Sequence, residues 1–146
     1  MKLFVERKVI NASDLHSWYK SQGLSGMIPP EEYHVTVVYS KEDVDITTMD
    51  FDYKPILIEG SMLSFLALFD DYVVQLVLTD ARLYERFQYF KDLGCSWDYP
   101  EYMPHVSLAK GHKGKALTVE PYPESILLGP EVWSELNEDF SYKVEK

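Results

Sequence analysis

One cysteine, Cys95, stands alone in the chain, so no intrachain disulfide can form. A reducing compartment is the simple expectation, with that thiol buried and inert rather than a nucleophile. No run of about 18 apolar residues exists, which excludes a spanning helix. The opening "MKLFVERKVI" is broken by charge and lacks the apolar centre of a signal peptide. Basic residues are scarce too: 14 Lys and Arg against 24 Asp and Glu give a net charge of −10. Proteins that track long DNA or RNA neutralise phosphates with a basic stripe, and none is present. These shortages point to a cytoplasmic protein with no membrane and no long nucleic acid as partner.

What remains is a folded chain of 146 residues, with 46% hydrophobic and 14% aromatic content. That length is enough for one domain with a substantial core, and no linker or low-complexity tract divides residues 1–146. "MKLFVERKVI" alternates as a strand. "NASDLHSWYKSQG" reads as a helix capped at Asn11 or Ser13 and stopped by Gly23, with Leu15, Trp18 and Tyr19 on one face and His16 half-buried or at the surface. "YHVTVVYS", "PILIEG", "SMLSFLALF" and "YVVQLVLT" read as strands, with "FDDY" as a hairpin turn. "DARLYERFQYFKDLG" is a helix capped by Asp80, with Leu83, Phe87 and Phe90 facing the core. "PHVSLAK", "ESILLG" and "FSYKV" complete the strands. The fold class is α+β.

Two of only four histidines sit in matching phrases, "EEYHVTVVYS" and "EYMPHVSLAK". Residues i and i+2 of a strand share a face, so His34 projects with Thr36 and His105 with Ser107, while the intervening valines pack the other way. If the strands face one cleft, they bring together two imidazoles and two hydroxyls. One neutral ring can take a proton from an attacking oxygen while the other, protonated, gives one to a leaving oxygen. The hydroxyls can hold the non-bridging oxygens of a phosphodiester. Two such motifs would arise by chance on the order of one time in ten; the shared valine, strand context and preceding proline loops sharpen the match. The competing interpretation is two strand histidines satisfied by local hydrogen bonds. Metal binding has little support, since the histidines are scattered and no H-x-x-x-H or cysteine pair occurs. The basic cluster "LAKGHKGK" suits a small anion or a solvated turn.

The paired motifs, with the "SWYKSQG" helix, "PPEEYHVTVVYS" and "CSWDYPEYMPHVSLAK", resemble the 2H phosphoesterase superfamily, and more narrowly the phage anti-CBASS phosphodiesterases that destroy cyclic oligonucleotide signals. The resemblance implies a bilobed LigT-like fold, two pseudo-symmetric lobes of antiparallel sheet with helices outside and a central groove. It implies His34, Thr36, His105 and Ser107 as the catalytic set, working without metal or other cofactor. The 2′-hydroxyl would attack the adjacent phosphorus of a 3′–5′ linkage in a cyclic di- or trinucleotide. Lys110 would approach the phosphate, Glu131 would accept from a base edge, and Tyr39, Trp97, Tyr99 and Tyr102 would stack on bases; Phe4 and Phe140 are lesser candidates. The rivals are a 2′,3′-cyclic phosphodiesterase or 2′–5′ RNA-end enzyme of the LigT kind, and a non-catalytic cyclic-nucleotide sponge or phage structural module. Which histidine is acid and which is base is not legible from the residues.

Overall fold

The computed structural model describes residues 1–60, 65–78 and 80–145. Seven strands, β1 (Lys2–Val9), β2 (His34–Asp43), β3 (Ile56–Ile58), β4 (Phe65–Phe69), β5 (Tyr72–Leu76), β6 (His105–Lys110) and β7 (Ile126–Glu135), form one antiparallel sheet. Its order is β3-β7-β1-β2-β6-β5-β4. Two helices accompany it, α1 (Ala12–Ser21) and α2 (Ala81–Asp92).

The helices are exchanged between the halves of the sheet. α1 follows β1 yet packs Leu15 and Tyr19 into the cluster that holds Val73, Leu108 and Ala109 of the other half. α2 follows β5 and packs Phe90 against Leu3, Val5, Val37 and Val38 of β1 and β2. Asp80 caps α2 by accepting from the Arg82 amide, as its sequence suggests. Asn11 precedes α1 without capping it; its amide instead donates to the Ser125 carbonyl and accepts from the Leu127 amide, tying α1 to β7.

The halves β3-β7-β1-β2 and β6-β5-β4 meet at one recorded pair, Val35 with Val106. Beyond it the strands diverge, and the residues ahead of β2 take the place beside β6. Lys110 donates to the Gly26 carbonyl and Ile28 to the Leu108 carbonyl. Gly26 has φ +66 and comes so close that a Cβ there would lie 2.2 Å from the Lys110 carbonyl oxygen. Only glycine serves at that position.

Both histidine strands carry an extra residue at the same place. β1 pairs Val5 with Val38 but Glu6 with Thr36, so Val37 is unmatched. β5 pairs Val73 with Ala109 but Val74 with Ser107, so Leu108 is unmatched. Each bulge lies three residues past a histidine and reverses the alternation. The groove face is therefore i, i+2 and i+5: His34, Thr36 and Tyr39 on β2, and His105, Ser107 and Lys110 on β6.

Two expectations change. "FSYKV" is not a strand: residues 136–145 leave β7 as an extended tail with no ladder. "ESILLG" is the start of a longer strand that runs through Pro130 to Glu135. The "SMLS" part of the fourth expected strand and the last residue of "YVVQLVLT" lie outside the described residues.

Candidate active site

The Val35–Val106 pair sets the site. Carrying its antiparallel register one residue each way places Ser107 across from His34 and His105 across from Thr36. Opposed residues of an antiparallel pair project from the same side of the sheet. Both valines are fully buried on the helix side, so the four polar side chains share the other face. Tyr142 accords with their proximity: its hydroxyl lies 3.4 Å from His34 Nε2, and Ser107 opposes the rise that burial gives its phenol pKa.

Each histidine is held by the same device. His34 Nδ1 lies 2.8 Å from the Glu32 carbonyl oxygen and His105 Nδ1 lies 2.7 Å from that of Met103, both two residues back. A carbonyl only accepts, so each Nδ1 carries the hydrogen, which leaves each Nε2 as the nitrogen able to exchange a proton. Burial pushes the His105 imidazole below its ordinary value; the Met103 bond opposes this, and His34 adds to the lowering.

The two halves differ in what surrounds these rings. On the β1 side, Lys8 pairs with His34, Glu6 with Thr36 and Phe4 with Tyr39. Glu6 Oε2 lies 3.9 Å from His34 Nε2, while its other oxygen is 2.8 Å from Lys8 Nζ. On the other side Leu76 pairs with His105, Val74 with Ser107 and Tyr72 with Lys110. Phe69 meets the His105 ring edge-on at 4.8 Å.

A groove of about 830 Å³ opens from His34 along β1 and β2, lined by Phe4, Glu6, Thr36, Tyr39, Tyr99 and Phe140 among others. The tail crosses it. Leu136 bonds to the Lys2 carbonyl, Tyr142 stacks beside His34 at 5.9 Å and meets Tyr72 at 5.6 Å, and Glu145 reaches the Met27 carbonyl. His16 on α1 lies 3.0 Å from the Glu145 carboxylate.

Of the expected binding residues, Tyr39 and Tyr99 line the groove. Lys110 reaches the groove face through the β6 bulge, its ammonium 5.9 Å from the Tyr72 ring. Tyr102 is 8% exposed, stacks on Phe87 at 4.4 Å and donates to the Thr36 carbonyl at 2.7 Å, so it props the strand from beneath instead of offering a face to a base. Trp97 packs against Phe87 and Tyr39, and its indole nitrogen donates to the Glu101 carbonyl.

Glu131 is a correction of place. It sits in β7, its side chain buried, and accepts two bonds from Arg86 and one from the Asp52 amide. The Arg7 guanidinium lies 3.7 Å away. Arg7, opposite it on β1, is on the helix face, so the sheet separates Glu131 from the groove. Among the described residues, no group of three or more His, Cys, Asp or Glu is placed to hold a metal ion, and no helix is long and apolar enough to cross a membrane. Cys95 is buried, which raises its thiol pKa. Glu6 and Tyr142 were missed by the sequence reading. Glu6 was visible as the second polar residue of an alternating strand, whereas nothing local marks Tyr142.

The fold matches solved structures over nearly its whole length. A phosphoesterase crystal structure superposes with TM-score 0.68 at 12% identity, covering 99% of this chain and 95% of that one. LigT of E. coli, complexed with 3′-AMP, gives 0.66 at 12% identity, with 99% and 95% covered. Sequence relatives are nearer. The anti-CBASS protein Acb1 of Caulobacter sp. (strain RHG1) is 34% identical over 142 residues, 93% of this chain and 23% of that protein. That of Sphingomonas paeninsulae is 32% identical over 150 residues, 94% of this chain and 23% of that protein. The chain thus spans about a quarter of the length of these two relatives. A shorter match, 27% over 90 residues, 62% of this chain and 58% of that protein, is to Acb1 of Vibrio phage KVP40. The family model described as anti-CBASS protein Acb1 matches residues 1–143, and the chain belongs to that family.

Proposed function

We propose that the chain is a metal-independent phosphodiesterase that opens 3′–5′ linkages of cyclic di- or trinucleotide immune messengers in the cytoplasm. The observation that carries this is the cluster at the seam: two imidazoles each anchored through Nδ1, diagonal to one another and flanked by Thr36 and Ser107. A phosphodiester carrying a neighbouring 2′-hydroxyl needs one proton removed and one supplied, with donors for its non-bridging oxygens. Family membership and the anti-CBASS description of the relatives support the cyclic substrate. The open groove beside His34, with aromatic faces at Tyr39 and Tyr99, suits a nucleoside.

The test is incubation with 3′3′-cGAMP or cyclic triadenylate in EDTA, with products read by mass spectrometry. A linear product ending in a 2′,3′-cyclic phosphate or 3′-phosphate is expected. His34→Ala and His105→Ala each lower kcat by about 10²–10⁴-fold, and a 2′-deoxy analogue is inert. No cleavage across such a panel overturns the reading. Faster turnover of linear 2′,3′-cyclic or 2′–5′ RNA ends in competition reassigns the substrate.

A further inference from the structure

The seam is covered by a piece of the chain itself. Beyond Leu136, residues 137–145 run back across the groove toward α1, and their Tyr142 phenol oxygen lies 3.4 Å from His34 Nε2. The ring stacks beside His34 at 5.9 Å and meets Tyr72 of β5 edge-on at 5.6 Å, so it bridges the two halves of the sheet. A phosphodiester oxygen exchanging a proton with His34 needs the same place, within about 2.6–3.2 Å of Nε2. Phenol and phosphate cannot both be there.

The segment is lightly held. Among the described residues, its one main-chain bond to the rest of the fold runs from the Glu145 amide to the Met27 carbonyl. The Glu145 carboxylate lies 3.0 Å from His16 Nε2 on α1, and Glu138 lies 3.5 Å from Lys2. Its seat is imperfect. His16 Nε2 is buried near that carboxylate but out of hydrogen-bond alignment, and the hydroxyl of Tyr33, whose ring is 6.3 Å from His16, is buried with no partner. A Glu32 carboxylate oxygen, on the groove wall with Tyr142, is a third such atom. Buried polar atoms without partners penalise the state that buries them. The segment also carries Glu138, Asp139 and Glu145 against Lys143 alone, a charge of the same sign as a phosphate.

Resting on the phosphodiesterase reading above for what enters, we infer that residues 137–145 are a strap that closes the free site, with Tyr142 as its plug and Glu145 as its latch. A phosphate binds only when the strap lifts. Lifting uncovers His34, opens the three unpaired atoms to water and takes the acidic residues off the seam. A site open for part of the time binds with its affinity reduced by the open fraction, so the strap sets how tightly a small phosphate is held. Burial pushes the Tyr142 phenol pKa up to about 12, with Ser107 opposing. The plug is therefore a neutral group, and no ion pair is broken when it leaves His34.

Diethyl pyrocarbonate, which acylates accessible imidazole nitrogens, reads the strap without any substrate. His34 is expected to react about tenfold faster in Tyr142→Ala, and in a chain ending at Phe140, than in wild type. The shortened chain keeps Phe140 in the groove wall and loses both plug and latch. Glu145→Ala leaves Tyr142 in place, so a rise of about threefold at His34 there shows that the segment moves as one. His112, buried and bonded to the Ser25 carbonyl, is the control for an intact fold. Unchanged His34 reactivity in the shortened chain overturns the strap, and unchanged reactivity in Glu145→Ala overturns the latch. Inorganic phosphate, titrated against the His34 and His105 ring signals, is expected to bind the shortened chain about tenfold more tightly than wild type. Equal or weaker binding by the shortened chain overturns the inference. Raised His34 reactivity with no phosphate binding to either chain supports the strap and counts against the phosphodiesterase reading.

Discussion

Val35 and Val106 are paired across the seam of the sheet, each fully buried and each one residue past a histidine. No other pair joins β2 to β6, so the spacing of the two imidazoles rests on how these valines seat against the helix-side core. The geometry of the site thus depends on residues buried on the opposite face of the sheet.

Val106→Ala is therefore expected to act twice. Removing two buried methyl groups costs about 2 kcal/mol of stability. The ring spacing then relaxes, and kcat falls by about tenfold while KM holds. Denaturant melts and steady-state kinetics on the same variant check both; unchanged kcat would mean that the rings are positioned from elsewhere.

Tyr102→Phe separates a prop from a stacking surface. The phenol donates to the Thr36 carbonyl at 2.7 Å. Its loss removes one partner from the Thr36 carbonyl, a cost of about 1 kcal/mol, and loosens Thr36, so kcat drops with KM unaltered. A base-stacking role predicts no change, since phenylalanine keeps the ring.

The pH dependence follows from His105. In the proposed reaction one ring must be neutral to take a proton, and burial lowers the pKa of this ring from its ordinary value of 6.5, which suits it to that state. The acid limb of kcat/KM is therefore expected below pH 6.5. For stability, the folded state binds fewer protons here than the unfolded state, so this contribution is present above the unfolded value and is lost as pH falls through the folded one. Unfolding free energies compared between pH 7.5 and pH 5, wild type against His105→Phe, should show the larger loss in wild type.

Glu131→Gln removes the anion between Arg86 and Arg7 and leaves two guanidinium groups short of a partner. Breaking such a buried network costs about 3–5 kcal/mol. Thermal melts should fall steeply while substrate preference is retained. The opposite pattern, altered base preference with intact stability, would return Glu131 to the binding site.

Much of this was legible in the letters because it is local. The strand period puts His34 with Thr36 and His105 with Ser107, and Asp80, Leu83 and Phe90 mark α2 by cap and spacing. The missed features are long-range or irregular. The match of Glu131 to Arg86 spans 45 residues, and an isolated glutamate before a tryptophan carries no sign of it. Tyr142 reaches His34 across 108 residues through a tail whose "FSYKV" alternates like a strand. Tyr102 reads as an exposed loop aromatic until the helix beneath it is in place.

Each bulge makes the count from histidine to groove odd where simple alternation would make it even. Straightening either bulge without removing a residue would leave the histidine and hydroxyl of that strand in place yet turn Tyr39 or Lys110 inward to the core. Comparisons among relatives, and any grafting of these strands onto another scaffold, should count five residues from the histidine to the next groove position, because a spacing of four lands on Val38 or Ala109, both of which are buried.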